Sequence, residues 1–220
     1  MANAPIKLDD SMFRMRRTEL VERALRARGI HDERVLEVMS RVPRHLFVPP
    51  ELAEHAYEDR ALPIGFGQTI SQPYMVAVML ETLGLSGTER VLDVGTGSGY
   101  QAALLSLLAR EVVSLDVVPE LAASAQARLK ELGFRGIEVL VGDGSLGHRE
   151  GAPYDAILVA AAAADLPIPL IDQLADDGQL LIPVGPEGVQ ELILVHKLGG
   201  RTTTRKIADC AFVPLVTQRG

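Results

Sequence analysis

The segment VLDVGTGSGYQAA, Val91 to Ala103, joins a β-branched run to an apolar helix candidate through Gly95, Gly97 and Gly99. Glycines at a strand-to-helix turn let a ligand approach the backbone closely, beside the amide donors of the helix start. The spacing is G-x-G-x-G with Tyr100 following, so the dinucleotide fingerprint G-x-G-x-x-G is not met. Asp116 ends the next strand candidate, about twenty residues on, where a carboxylate can accept hydrogen bonds from ribose hydroxyls. Asp143, in GDGSLG, closes a third strand candidate, and its purely local explanation is an Asx turn. Asp93 precedes the loop, either as a cofactor contact or as a brace for the turn. Together Asp93, Gly95, Thr96, Gly97, Asp116, Asp143 and Gly144 outline a nucleoside groove at one sheet edge. Acidic walls beside a loop without Lys or Arg suit a cationic sulfonium better than a phosphate. The expected cofactor is S-adenosylmethionine, with S-adenosylhomocysteine as its product.

A second polar stretch, IGFGQTISQPYM from Ile64, sits directly ahead of the apolar run Met75 to Leu83. Its local explanation is that Ser71 caps the helix and the glycines make the turn before it.

These segments need a scaffold, and the periodicity predicts one. The first sixty residues read as helical. Leu20, Ala24 and Ala27 share a face that stops at Gly29, and Val35, Leu36, Met39 and Val42 follow Asp32 and end at Pro43. A short helix follows Pro49 and Pro50. From Arg90 the strand candidates RVLDV, EVVSLDV, IEVLVG, YDAILVAA, GQLLIPVG and QELILVHKLG appear, the early ones alternating with helices. The expected fold is α/β: a doubly wound, Rossmann-like sheet with antiparallel strands toward the C-terminus. One domain is expected, with residues 1–62 as a helical cover and 63–220 as the cofactor-binding and catalytic core.

With 220 residues, 47% hydrophobic and 23% charged, the chain has an ordinary globular balance. A net charge of −7 and a pI near 5.3 argue against nucleic acid or an anionic membrane as partner. Cys210 is the only cysteine, which excludes an internal disulfide and cysteine-rich zinc sites. The N-terminus has no apolar core of signal-peptide length, so the expected location is the cytoplasm, as a monomer or weak oligomer. His31, His45, His55, His148 and His196 form no metal or triad spacing, and no metal is expected.

VPRHLFVP, GFGQTISQPYMVA, LDVGTGSGYQAA, GDGSLG, APYDAILVAAA, QLLIPVG and FVPL resemble, in order, segments of the protein-L-isoaspartate O-methyltransferase family. The likeness runs from about Leu20 to Val216, and GQTISQP is its most specific part. It implies that Thr69, Ile70, Ser71 and Gln72 line the junction of cofactor and acceptor, with Ser71 as the active-site serine. Gln72, Val213 and Leu215 would also contact the substrate, and backbone groups from Phe212 to Leu215 would hold an extended peptide. The family often carries V-T-A-A where this chain has Val159-Ala160-Ala161-Ala162, so one possible hydroxyl contact is absent.

The implied reaction is methyl transfer to the free α-carboxylate of an L-isoaspartyl residue in damaged proteins and peptides. A carboxyl group with a pKa of roughly 4 is ionised at neutral pH, so no general base is needed. Capping and catalysis by Ser71 are compatible, since a hydroxyl at a helix start lies among amide donors that favour an anion. The alternatives are a related methyltransferase acting on another carboxylate or small metabolite, a non-catalytic nucleoside binder and an NAD-dependent oxidoreductase. Tyr100 disfavours the last of these.

Overall fold

Among residues 11–216, which the computed structural model describes, the chain begins helical. Residues 1–10, part of the expected cover, and 217–220 lie outside the described residues. Helix α1 (Ser11–Glu19) continues through a π-helical stretch, Leu20–Leu25, and a 3-10 turn, Arg26–Arg28. Helix α2 (Glu33–Arg41) starts where the Asp32 carboxylate accepts from the Arg34 and Val35 N–H groups, and it buries Val35, Leu36, Val38 and Met39. Short 3-10 turns follow at Arg44–Phe47 and Pro50–His55.

Strands β1 (Leu62–Gly65) and β2 (Gln68–Ile70) then form an antiparallel hairpin leading into helix α3 (Pro73–Leu83). The sequence had suggested only a turn here.

The remainder alternates as expected: β3 (Arg90–Val94), α4 (Tyr100–Leu108), β4 (Glu111–Asp116), α5 (Pro119–Glu131), β5 (Ile137–Val141) and β6 (Tyr154–Val159). The short helix α6 (Ile168–Asp172) precedes β7 (Leu174–Val184), β8 (Gln190–Leu198) and β9 (Arg201–Cys210). The seven-stranded sheet has the order β5-β4-β3-β6-β7-β8-β9. Pairs from β5 to β7 are parallel, whereas β7-β8 and β8-β9 are antiparallel. The expected antiparallel C-terminal portion is therefore present, with one strand more than the sequence reading counted. Gly199 and Gly200 make the turn into β9 with φ of 58° and 73°, a two-glycine hairpin turn that side chains disfavour.

Strand order reverses between β3 and β6, the place where parallel sheets open a crevice at their carboxyl ends. Val91, Leu92, Val94 and Ile157 to Val159 are buried there, as befits strands covered on both faces. Helix α4 is buried along most of its length, and the Phe47 ring meets the Tyr100 ring edge-on, with centroids 5.5 Å apart. Leu36, Met39 and Phe47 of the cover belong to the same core cluster as Leu104 and Leu105 of α4. A nine-residue helix such as α2 is marginal alone in water. Burial of each leucine contributes about 1.5–3 kcal/mol, so packing on α4 is what holds the cover. Among the described residues, no helix is long and apolar enough to cross a membrane.

Candidate active site

The carboxyl ends of β3 and β4 form one wall of a groove, and the β1–β2 hairpin forms the wall facing it. The glycine loop belongs to the first wall. Gly97 adopts φ 52°, and a Cβ placed on it would lie 3.2 Å from the Ile64 Cδ1 of the hairpin, so the two walls meet at this residue. Asp116 ties the loop down: its carboxylate accepts from the Gly97 N–H at 2.7 Å and from the Val118 N–H at 2.9 Å. The Gly95 and Thr96 N–H groups both donate to the Leu115 carbonyl. Gly144 is required by close approach, since a Cβ there would stand 2.3 Å from Val94 Cγ1.

Not every acid read from the strand ends reaches the groove. Asp93 is fully buried behind the loop. Its carboxylate accepts from Gln101 Nε2 and from Ser114 Oγ, each at 2.7 Å. Burial, aided by the nearby Asp116 charge, raises its pKa to about 6 against these two hydrogen bonds. Of the two roles left open for Asp93, this geometry is that of a brace. The Thr96 hydroxyl is directed to Ser114 at 2.6 Å, which leaves only its backbone on the groove side of the loop. Asp143 accepts from the N–H and hydroxyl of Ser145 through one oxygen, and Gly144 rather than Asp143 lines the groove. The Asx explanation describes that contact well.

The hairpin wall also departs from the local expectation. Ser71 does not cap α3. The helix begins at Pro73, so the N-cap position falls on Gln72, and neither residue's side chain caps the helix. Proline at the first helical position holds its predecessor extended, and that displaces Ser71 one residue outside the helix. The cap comes from elsewhere: Asp59 accepts from the Tyr74 N–H at 2.9 Å. Gln72 points the same way, donating to the Asp59 carboxylate at 2.9 Å and to its backbone carbonyl at 3.1 Å, so its side chain does not line the groove. Thr69, Ile70 and Ser71 do line it, and the Thr69 and Ser71 hydroxyls have no hydrogen-bond partner among the described residues.

The end of the described chain completes the enclosure. The Ala162 N–H donates to the Val213 carbonyl and the Leu215 N–H donates to the Ala162 carbonyl, both at 2.8 Å. This clips Val213 to Leu215 alongside the segment after β6, where both residues line the groove. The Gln190 carboxamide fixes the approach by accepting from the Phe212 N–H at 2.7 Å.

The sequence reading missed Gln101, whose Oε1 is buried at the groove without a partner among the described residues. A polar residue in the otherwise apolar run YQAALL was its signal. Among the described lining residues there is no Lys, Arg or His, and Asp116 is the sole carboxylate. No group of three His, Cys, Asp or Glu among the described residues is placed to hold a metal ion.

The family model described as Protein-L-isoaspartate(D-aspartate) O-methyltransferase (PCMT) matches residues 15–220. The chain belongs to that family. A protein-L-isoaspartate O-methyltransferase of Methanoculleus marisnigri is 55% identical over 207 residues, covering 94% of each chain. One of Koribacter versatilis is 48% identical over 220 residues, covering 100% of this chain and 98% of its own. A solved Plasmodium falciparum structure, described as a beta-aspartate methyltransferase (PCMT) in complex with S-adenosyl-L-homocysteine, superposes with a TM-score of 0.79. It is 28% identical and the match covers 91% of this chain and 98% of that one. The Rossmann-like methyltransferase sheet expected from the sequence is the fold of this protein-L-isoaspartate(D-aspartate) O-methyltransferase family member.

Proposed function

We propose that this chain transfers a methyl group from S-adenosylmethionine to the free α-carboxylate of L-isoaspartyl residues in proteins and peptides, initiating their repair. The observation that carries the reading is the Ser71 hydroxyl, which lines the groove on the hairpin wall and is unengaged among the described residues.

The groove suits the cofactor. The glycine loop leaves backbone where side chains would fill the space, and Gln101 Oε1 is a buried acceptor lacking a donor among the described residues. Asp116 is the one carboxylate that lines the groove among the described residues, and its oxygens keep lone pairs for ribose hydroxyls beside the two backbone bonds. When bound, the cofactor supplies an electrophilic methyl group on a cationic sulfur.

The protein's own part is alignment. The Ser71 hydroxyl donates to the acceptor carboxylate and fixes which oxygen faces the methyl group. A single neutral donor orients that anion without strongly lowering its nucleophilicity. Proton transfer is not required, since the acceptor is ionised at neutral pH. Ile70, Val76, Val213 and Leu215 supply apolar wall that displaces water from the reacting atoms. The Val213–Leu215 segment, held extended by Ala162, offers its outer backbone edge to a peptide. A net charge of −7 fits a cytoplasmic enzyme that meets isoaspartyl proteins without nucleic acid or membrane.

The deciding test is transfer of labelled methyl to paired isoaspartyl and aspartyl peptides of one sequence. Label should enter the isoaspartyl peptide and spare its partner. Equal labelling, or none with either peptide, would overturn the reading in favour of another acceptor.

A further inference from the structure

The opening of α3 is held by a residue thirteen or more positions upstream, in the helical cover. Asp59 lies between the 3-10 turn Pro50–His55 and β1, and its side chain is 19% exposed. One carboxylate oxygen accepts from the Tyr74 N–H at 2.9 Å. The other accepts from Gln72 Nε2 at 2.9 Å and from the Arg28 guanidinium. The Asp59 backbone carbonyl takes a second bond from the same Gln72 amide at 3.1 Å. Arg28 closes the cluster by standing 3.5 Å from the centre of the Tyr74 ring, while the Tyr74 hydroxyl donates to the Arg28 carbonyl.

Asp59 thus grips the chain on both sides of Pro73. Proline supplies no N–H, and the Ser71 side chain bonds to nothing among the described residues. The direction in which the chain leaves β2, and with it the place of the Ser71 hydroxyl, is set by the bonds to Gln72 and Tyr74. A carboxylate at a helix start would ordinarily repel an incoming anion. Arg28 balances it here, so the cluster can hold Ser71 without opposing the acceptor's charge.

We infer that Asp59 is a positioning residue for methyl transfer, acting through Gln72 and Tyr74 to place Ser71. This rests on the role given to Ser71 above. The cover's contribution is then directional as well as protective.

The test is a double-mutant cycle of Asp59→Asn and Ser71→Ala, with kcat on an isoaspartyl peptide measured well below each unfolding midpoint. Asparagine keeps one acceptor but loses the charge and the second acceptor. Asp59→Asn should lower kcat roughly tenfold in the parent enzyme, as expected for a misplaced aligning group. In the Ser71→Ala background it should lower kcat no further, because the group it positions is gone. Lost stability alone would not give that non-additivity. Gln72→Ala, which spares the Tyr74 and Arg28 bonds, should show a smaller loss with the same dependence on Ser71 and serves if Asp59→Asn does not fold. Equal losses in both backgrounds, or no loss in either, overturn the inference and leave Ser71 in place. A Ser71→Ala enzyme with full kcat overturns both.

Discussion

The two walls of the groove treat their polar atoms in opposite ways. On the glycine-loop wall, Asp93, Thr96 and Asp116 are buried and bonded to Gln101, Ser114, Gly97 and Val118. On the hairpin wall, Thr69 and Ser71 line the groove with hydroxyls that bond to nothing among the described residues. A buried polar group without a partner costs about 1–3 kcal/mol, so the first wall bonds nearly all of its own and becomes stiff, Gln101 Oε1 being the exception among the described residues. The second can leave donors open because the groove admits water and ligand to them. Damage to the first wall should therefore register in stability and cofactor affinity, and damage to the second in rate.

Asp93 gives the largest expected effect on that division. Burial raises its pKa from 3.8 to about 6, so between those pH values the native state holds the proton more firmly than the unfolded chain. Below that window the native state gains its full relative stability. That gain is lost as pH rises through it, by roughly 3 kcal/mol. Asp93→Asn keeps an acceptor for Gln101 and can donate to Ser114, so it removes the pH dependence with little change of shape. Midpoints measured from about pH 4 to pH 7 should diverge in the variant's favour up to about pH 6 and then run parallel. Parallel curves throughout would mean that Asp93 ionises without penalty.

Asp116 comes next, because it serves fold and ligand together. Asp116→Ala deletes a charged acceptor for ribose and also frees the Gly97 and Val118 amides. A loss of roughly 1.5–3 kcal/mol corresponds to about tenfold to a hundredfold weaker S-adenosylhomocysteine binding by calorimetry. Asp116→Asn, which retains one acceptor, should lose less. Unchanged affinity in a folded variant would move the ribose elsewhere.

Ser71→Ala probes the opposite wall. Since Ser71 is not the N-cap, its stability should change by no more than about 0.5 kcal/mol. Turnover on isoaspartyl peptide should fall about tenfold to a hundredfold, with a residual rate because the nucleophile belongs to the substrate. A normal rate with stability lowered by about 1 kcal/mol would return the residue to a capping role.

The same contrast explains what was legible in the sequence. The loop wall is written in contiguous signals: apolar strands, a glycine turn and an acid at the next strand's end. Position at a strand end identifies the correct sheet edge but not the way a side chain turns. Asp93 and Asp143 were therefore counted with Asp116, although they face Gln101 and Ser145. The hairpin wall was harder. Its strands have four and three residues, too few for alternation to be read. Pro73 was the overlooked signal, since a proline at the first helical position excludes a cap two residues ahead of it. The cap from Asp59 is non-local and leaves no mark in the segment it holds. Strand β9, RTTTRKIADC, is an edge strand, exposed along most of its length, and has no apolar face to reveal it.

A smaller effect would sharpen the comparison further, because it depends on what neither wall supplies. The described lining contains no basic side chain, so nothing in it neutralises an acceptor carboxylate. Ser71 can orient that anion but gives it no counter-charge. The positive sulfonium of S-adenosylmethionine then becomes the carboxylate's electrostatic partner, while the thioether of S-adenosylhomocysteine is neutral. Two unit charges 4 Å apart attract by about 4 kcal/mol at an effective dielectric constant of 20, and a partly wet groove keeps only a fraction of this. An isoaspartyl peptide should accordingly bind about tenfold more tightly beside a cofactor analogue with an amine in place of the sulfonium than beside S-adenosylhomocysteine. Ser71→Ala should weaken both complexes and leave their ratio unchanged, because the hydroxyl and the cation act on the carboxylate separately. Loss of the attraction on methyl transfer also favours release, since the product ester and the thioether are both neutral. Fluorescence titration of one labelled peptide against the two complexes measures the ratio directly. Equal affinities would mean that a cation outside the described lining reaches the acceptor, and the hairpin wall would then have to be redrawn to include it.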